Sequence, residues 1–270
     1  MPFFDIVDDV TRQKFNRNEM GDTRITGILL GVVVKNYDKK KQGFILVNLN
    51  TRDYEENKMV WARVTLPYGG DKWGDYFVPE VGDQVLVTFE QGNIERAFVV
   101  GAVPKSSSEF MKKAFDEKNQ YKRITTKNGN TIDIVDHKEG EGEKDKISLY
   151  TSKEKHKIVL DNENKKILIT DKEGKNKIQM KTEDGQMEII ASQKLTIKVG
   201  DNIKLIMNGA NGTVTLEATK LKMTTTESTE VKSNSRMTME GGNVSVKGNS
   251  MVKVSSSGPV SVEGTPIKLG

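Results

Sequence analysis

Hydrophobic and polar residues follow three different patterns along the chain. Over residues 1–21, four apolar side chains are spaced loosely like one face of a helix: Ile6, Val7, Val10 and Phe15. This spacing predicts an N-terminal arm that is either irregular or contains a short helix capped by Asp5. From Thr23 the pattern becomes that of β-strands, and after Lys122 it becomes a repeat.

The strand-like front part predicts a small closed barrel over residues 22–105. Six apolar, β-branched segments separated by glycine-containing turns cover 25–35, 44–49, 59–66, 76–79, 84–89 and 96–103. Five or six strands in about 80 residues favour a barrel over a sandwich. Gly27 and Gly31 are predicted bulge or bend sites, Gly82 is predicted to take a positive φ in a tight turn, and Trp61 is expected in the barrel core or rim.

In the rear part, two apolar residues flank one polar residue again and again. The pairs are Ile132/Ile134, Ile147/Leu149, Ile158/Leu160, Ile167/Ile169, Ile178/Met180, Met187/Ile189, Leu195/Ile197, Ile203/Leu205, Val214/Leu216, Leu221/Met223, Met237/Met239, Val244/Val246, Val252/Val254, Val260/Val262 and Ile267/Leu269, and Val231 stands alone. Successive pairs are about eight residues apart. Near the end the octad is regular, with Val246-x-Gly248, Val254 and Val262-x-Gly264 at matching positions.

These octads predict short strands that one ribbon cannot stabilise. Ordering costs about 1–2 kcal/mol per backbone residue, and two or three half-buried apolar side chains in eight residues do not offset it. Either three units of one chain close a coil, or three chains each supply one side of a prism. An ordinary β-meander explains the alternation but not the fixed octad. The rear part is free of proline between Pro104 and Pro259 and of aromatic residues after Tyr150, as a thin, continuously hydrogen-bonded shaft requires.

The stretch from Trp61 to Val103 resembles a known family. Its features are Trp61-Ala62-Arg63-Val64, the glycine-rich loop with Gly69, Gly70 and Gly74, Pro79-x-Val81-Gly82-Asp83, the strand Val85-Leu86-Val87, and the return from Gly92 to Gly101. In this order they resemble the OB-fold domain of contractile-tail spike proteins. That family includes phage baseplate assembly protein V and the valine-glycine repeat protein of type VI secretion, and the V-x-G octads resemble the β-helix of the same spikes.

The resemblance implies an all-β protein with four parts: an arm over 1–21, an OB-fold barrel over 22–105, a connector over 106–121, and an intertwined trimeric β-helix with the tip over 122–270. It implies a structural homotrimeric central spike of a contractile injection particle, a phage tail or R-type bacteriocin baseplate, which pierces the target cell envelope. Because only 21 residues precede the barrel, the trimeric hub is expected to be a separate polypeptide.

The two ends of the chain carry further expectations. The resemblance implies a blunt tip made by Pro266, Ile267, Lys268, Leu269 and Gly270, which is either bare or capped by a small PAAR-repeat protein. The first ten residues contain three Asp and no basic residue, which does not fit an export signal. The longest apolar stretch, 28–34, is too short to span a bilayer. Synthesis in a bacterial cytoplasm and residence in a baseplate are therefore expected.

Composition excludes several kinds of site. There is no Cys, and the two His are His137 and His156, so thiolate chemistry, disulfides and the His-x-His iron site of some phage spike tips are not expected. In the connector, Ser108 is expected to cap one or two helical turns that bury Phe110, Ala114 and Phe115. The connector leaves no room for the lysozyme-like domain of some spike relatives. No catalytic residue, metal or cofactor is expected.

Two other functions remain as alternatives. OB folds often bind single-stranded nucleic acid, and the front part has Trp61, Tyr68, Trp73 and Tyr76 near Arg63 and Lys72. The net charge of only +4 does not favour this function, so no nucleic acid is expected. A trimeric tail fibre or adhesin is also β-rich, but such proteins usually end in a bulky aromatic head, whereas this chain ends in a taper.

Overall fold

A computed structural model describes residues 24–25, 27–50, 58–137 and 142–268, so the predicted arm lies outside the described residues. The described strands are β1 (Leu29–Lys35), β2 (Phe44–Leu49), β3 (Lys58–Val64), β4 (Gln84–Phe89), β5 (Ala97–Ala102), β6 (Tyr121–Thr125), β7 (Thr131–Val135), β8 (Lys146–Tyr150), β9 (His156–Asp161), β10 (Lys166–Asp171), β11 (Lys177–Lys181), β12 (Gln186–Ile190), β13 (Lys194–Val199), β14 (Ile203–Asn208) and β15 (Thr213–Glu217). One described α-helix, α1, covers Glu109–Ala114. The all-β class is thereby confirmed.

The first five strands form a closed barrel in the order β1-β2-β3-β5-β4. Neighbours are antiparallel except β3 and β5, which pair in parallel and close the barrel. Alternate residues of each strand point inward and fill the interior: Val33, Ile45, Val47, Leu49, Val60, Ala62, Val85, Val87, Phe89, Ala97 and Val99. This apolar alternation is the reason the sequence closes into a barrel, and the predicted barrel is confirmed.

Three details of the predicted barrel were wrong. Residues 76–79 are not a strand. Trp61 is not in the core, because its strand neighbours Val60 and Ala62 point inward and Trp61 therefore lies on the outer face. Gly31 is not a bulge: it lies inside β1 and allows β2 to approach closely, whereas the register shift between β1 and β2 falls between Val33 and Lys35.

Replacing Gly31 with alanine is expected to destabilise the barrel by about 1–3 kcal/mol, because overpacking a filled core forces its neighbours apart. A Cβ on Gly31 would lie 2.3 Å from Val47 Cγ1 and 3.1 Å from the Asn48 carbonyl oxygen. Gly101→Ala is the matched control, since a Cβ there has no neighbour within 4 Å. Urea unfolding of both variants, followed by tryptophan fluorescence, measures the difference. Equal stabilities of the two variants would contradict this packing account.

The connector contains the expected capped helix. Ser108 precedes α1, and its side-chain oxygen accepts a hydrogen bond from the Met111 backbone N–H at 3.2 Å. The predicted burial of Phe110 and Phe115 was wrong, because these side chains are 41% and 80% exposed. A helix of six residues has too little surface to cover two phenylalanines against a barrel that already has a complete core.

Strands β6 to β12 form one seven-stranded antiparallel sheet in chain order. The start of the predicted shaft is thus a meander within one chain and not a coil. Short turns reverse the chain between the strands, and the tightest contain a residue with positive φ: Lys165 at 47°, Gly174 at 68° and Gly185 at 63°. This sheet and the barrel belong to one compact unit, Met1–Leu195 with Asn208–Gly212.

The second unit comprises Thr196–Met207 and Thr213–Gly270. Strands β13, β14 and β15 pair into a three-stranded sheet. Within the described range 218–268, no residue belongs to a strand or helix and no backbone–backbone hydrogen bond is formed. Bends recur there at 226–227, 234–235, 242–243, 249–250, 257–258 and 265–266, spaced by seven or eight residues. The octad of the sequence therefore has a geometric counterpart, although one chain does not form a β-helix.

Candidate functional site

The apolar pairs of β7 to β12 line up across the sheet into two continuous rows. One row runs through Ile132, Leu149, Ile158, Ile169, Ile178 and Ile189. The other runs through Ile134, Ile147, Leu160, Ile167, Met180 and Met187. Because strand residues two apart share a face, both rows lie on the same face of the sheet. These twelve residues are called the apolar band.

The apolar band is uncovered in the single chain. Its side chains are between 36% and 62% exposed, although each is Ile, Leu or Met. Scattered apolar residues on a surface are ordinary, but a contiguous strip across six strands indicates an interaction surface. Burying one such side chain fully stabilises a protein by about 1.5–3 kcal/mol. The band is therefore suited to association with other apolar faces.

The opposite face of the same sheet is mainly polar, although it contains the buried Val159, and several of its charges are paired across strands. Arg123 on β6 donates from Nε and Nη2 to the two carboxylate oxygens of Asp133 on β7, at 3.1 and 2.5 Å. Lys146 on β8 lies 3.1 Å from the buried carboxylate of Asp161 on β9. Alternation along the sequence could not identify these partners, because they depend on the strand register.

The carboxyl groups of Asp161 and Asp171 in this sheet have lowered pKa values. Burial opposes ionisation of Asp161, but hydrogen bonds from Asn164 and Lys146 outweigh it and hold the pKa of the carboxyl below its ordinary value of 3.8. At Asp171 the side-chain amide of Asn176 lowers the pKa most, followed by backbone N–H groups of the β10–β11 turn. Both groups stabilise the folded sheet in their ionised form.

Acidification is therefore expected to destabilise the sheet. The folded pKa of Asp161 lies below the unfolded value, so its contribution is complete above the unfolded pKa and is lost as the pH falls through the folded pKa. Thermal unfolding between pH 7 and pH 2 measures this loss, which should begin below about pH 5. Asp161→Asn should flatten the acid limb, which is the fall of the melting temperature at low pH. Glu117→Gln, at an exposed connector position, should not flatten it. An unchanged acid limb in Asp161→Asn would contradict the role of this carboxylate.

The family-motif residues shape separate turns and do not form one site. Gly82 takes φ 94°, as predicted, and its backbone N–H donates a hydrogen bond to the Val33 carbonyl oxygen at 2.9 Å. A Cβ on Gly70 would meet the Trp73 ring at 2.7 Å, so this glycine makes room for the indole. The remaining motif positions lie apart from one another. Gly74 forms a β-bridge with Gly69, the Pro79 carbonyl oxygen lies 3.3 Å from Asn36 Nδ2, and the Gly92 carbonyl oxygen accepts a hydrogen bond from the Ile25 N–H. Gly101 lies in β5, and Trp61 and Arg63 lie on the outside of β3.

The octad residues of the tail are all exposed. Val246, Val254 and Val262 are 69–77% exposed, whereas Val244, Val252 and Val260, two residues earlier in each octad, are 53–57% exposed. This repeat of exposure shows that successive octads adopt similar conformations. A Cβ on Gly248 would lie 2.5 Å from the Met251 carbonyl oxygen, so a tight turn requires glycine there, whereas Gly264 has no such contact. At the tip, Pro266, Ile267 and Lys268 are exposed, and Leu269 and Gly270 lie outside the described residues.

Comparison with known proteins identifies the barrel. Residues 29–103 match the model of the type VI secretion system/phage-baseplate injector OB domain. These residues begin at β1 and end just after β5, so the match covers the closed barrel. The barrel is similar to this injector OB domain.

The chain is also similar to two curated spike proteins. Type VI secretion system spike proteins VgrG1a and VgrG1c of Pseudomonas aeruginosa are each 35% identical to the chain over 48 residues, which are 18% of this chain and 8% and 7% of the relatives. The chain thus spans less than a tenth of the length of the curated relatives it matches. This likeness supports the interpretation that the chain is a component of a tail or secretion-system particle. A structural role is typical of that family.

The injector OB domain also exposes aromatic side chains around one loop. Tyr68, Trp73, Tyr76 and Phe77 are 60–75% exposed, and Asp75 Oδ1 accepts a hydrogen bond from the Tyr68 N–H at 3.1 Å. Trp61 is different, because the ammonium groups of Lys35 and Lys41 lie 5.7 and 5.3 Å from its ring centroid. The sequence indicated these aromatic residues but not which of them are covered.

The described residues contain neither a candidate metal site nor a candidate membrane-spanning helix. No group of three or more His, Asp or Glu side chains there is arranged to hold a metal ion. No helix in the described part of the chain has the length and apolar character needed to cross a membrane.

Proposed function

We propose that the chain is the homotrimeric central spike of a contractile injection particle, a phage tail or R-type bacteriocin baseplate, and that it pierces the target cell envelope. The apolar band, directly after an injector OB domain, is the observation that carries this proposal. In this assignment the barrel (22–105) is a collar, 106–121 a connector, and 122–270 the shaft and tip. The collar attaches to a separate hub.

The apolar band supports association of chains over closure of a coil by one chain. Every strand from β7 to β12 contributes two apolar residues to the band, and within the described residues no other part of the chain covers them. The band is two residues wide and six strands long, so a partner must run along its whole length. Three copies around one axis bury three such bands against one another, as in the spike family that the sequence resembles.

The tail supports the same proposal by a separate route. Backbone N–H and C=O groups are nearly always paired when a segment is ordered and buried. Residues 218–268 repeat a regular bend but form no backbone–backbone hydrogen bond among themselves. Three intertwined copies would pair these groups between chains and enclose the octad valines, and the resulting closed prism would have no long free edge. Such a rod is suited to bearing load along its axis.

A tagged chain tests the proposed function. Contractile particles are purified from a strain that produces the chain with a tag, and the tag is located by gold labelling. We expect one label position on the tail axis at the baseplate and three copies of the chain per particle. Label at the ends of peripheral fibres would support the fibre alternative, and absence of the chain from the particles would contradict both.

The tip is proposed to bind a PAAR-repeat protein. Its described residues Pro266, Ile267 and Lys268 are exposed in the single chain and are therefore accessible to a partner. Pull-down of the cognate PAAR protein with wild-type chain, and loss of that binding after deletion of 264–270, are expected. Binding that persists after the deletion would contradict this partner.

Binding of single-stranded nucleic acid is a second candidate function, favoured by the exposed aromatic loop of the barrel. Stacking on an aromatic side chain contributes about 1–3 kcal/mol per base. Asp71 and Asp75 lie in the same loop and oppose phosphate binding, so this function ranks second. Salt-sensitive binding of an oligonucleotide that is lost in Trp73→Ala would support it, and no binding at low salt would contradict it.

A further inference from the structure

The two edges of the seven-stranded sheet carry opposite charge. Because the strands are antiparallel and follow chain order, alternate turns lie at opposite edges. One edge, called the basic edge, comprises the turns 126–130, 151–155 and 172–176. The other, called the acidic edge, comprises the turns 136–145, 162–165 and 182–185, of which 138–141 are outside the described residues.

The charge difference between the edges is large for turns of this size. The basic edge has five lysines and two glutamates: Lys127, Lys153, Lys155, Lys172, Lys175, Glu154 and Glu173. The described part of the acidic edge has six carboxylates and two lysines: Asp136, Glu143, Asp145, Glu163, Glu183, Asp184, Lys144 and Lys165. The described turns therefore carry a net positive formal charge at one edge and a net negative formal charge at the other.

Many of these charged side chains form no ion pair among the described residues. On the acidic edge, Lys144 pairs with Glu163 at 3.4 Å and Lys165 pairs with Glu183, which uses both of its described lysines. Glu143 and Asp184 remain without an ion pair among the described residues. On the basic edge the same is true of four lysines within the described part of the chain: Lys153, Lys155, Lys172 and Lys175.

The apolar band determines where these edges lie in an assembly. The two rows of the band run across the strands, so a symmetry axis that buries the whole band must also run across the strands. The strand ends then point sideways, around the axis. Cyclic symmetry about such an axis repeats every sheet in the same sense, so one edge of each copy faces the opposite edge of the next.

We propose that the basic edge of each chain binds the acidic edge of the next chain around the axis, and that this pairing fixes the head-to-tail closure of the spike shaft. The partner is a second copy of the same chain. This inference rests on the proposed function, because it requires the apolar bands to meet on one axis. The apolar band provides the association, and the edges determine its direction and exclude arrangements that bring two like edges together.

Charge reversal tests the pairing. The basic-edge variant carries four substitutions to Glu: Lys153→Glu, Lys155→Glu, Lys172→Glu and Lys175→Glu. The acidic-edge variant carries four substitutions to Lys: Glu143→Lys, Glu163→Lys, Glu183→Lys and Asp184→Lys. A third variant combines all eight. The matched control reverses four exposed lysines outside the sheet: Lys39→Glu, Lys40→Glu, Lys72→Glu and Lys118→Glu.

Each protein is unfolded, refolded at low salt and weighed by native mass spectrometry, alone and in an equimolar mixture of the two single-edge variants. Wild type, control and combined variant are expected to form trimers. Each single-edge variant alone should form few trimers, because every corner then joins like charges. In the mixture, trimers that contain both single-edge variants should dominate. The fraction of trimers made of one variant alone should be about tenfold lower than random mixing would give. This bias should shrink near 1 M salt.

The outcomes separate the edge pairing from the proposed function. Single-edge variants that trimerise like wild type and mix at random would overturn the edge pairing and leave the trimeric spike intact. A wild-type chain that never trimerises would overturn both. If a single-edge variant does not fold alone, the mixture and the combined variant still test the edge pairing. A combined variant that does not form trimers, when the control does, also overturns the pairing.

Discussion

Replacing Ile169 with aspartate is expected to convert the three-chain assembly into separate chains. Ile169 lies in the middle of the apolar band on β10, 46% exposed in the single chain. In the assembly it would be buried on the axis, where each isoleucine contributes about 1.5–3 kcal/mol. Three unpaired carboxylates meeting there would add several kcal/mol of desolvation and repulsion. Size-exclusion chromatography with light scattering at micromolar concentration measures the loss.

Thr170→Asp is the matched control for this prediction. Thr170 is the next residue of β10 and lies on the polar face, where its register neighbours are Lys157 and Lys177. The same charge on the same strand should leave the trimer intact. If both variants stay trimeric, or if both dissociate equally, the apolar band is not the surface that joins the chains.

Amide hydrogen exchange in the tail is expected to be slow in the assembled protein, by roughly a thousandfold or more relative to an unprotected chain. In one chain the backbone of 244–262 forms no backbone–backbone hydrogen bond and every side chain is exposed, so its amides would exchange freely. Intertwining would pair these amides between chains. Hydrogen–deuterium exchange with mass spectrometry of the wild-type protein measures the protection.

A synthetic peptide of residues 244–262 provides the unprotected reference rate. The barrel loop 71–73, whose residues are all exposed, gives an internal reference within the same sample. Exchange of 244–262 at the peptide rate, in protein that is trimeric by mass, would contradict the intertwined shaft while leaving the apolar band as the interface.

The barrel was predictable from the sequence because its signals are local. Alternation in 44–49 and 84–89 gave β2 and β4 with their bounds, and Gly82 indicated its turn. The position of Trp61 was not predictable, because alternation along β3 does not say which of its two faces turns inward, and both faces contain apolar residues. The false strand at 76–79 has apolar residues but no partner strand.

The rear of the chain shows what a repeat can and cannot predict. The spacing of apolar pairs predicted the band correctly, since Ile158/Leu160 and Ile167/Ile169 share one face. It did not distinguish a meander from a coil, because that choice depends on turns such as 162–165, where Lys165 adopts a positive φ that sequence rarely signals. The charge of each edge could not be predicted from the sequence, because the sign of an edge emerges only when alternate turns are brought together.

The mass of the wild-type protein in solution tests the central claim most directly. Sedimentation equilibrium at several micromolar concentrations, without denaturant, gives the mass independently of shape. The predicted result is three times the 30.2 kDa of one chain, constant over the concentration range. A mass of 30.2 kDa at every concentration would contradict the account, because the apolar band and the tail backbone would then remain uncovered in the working protein.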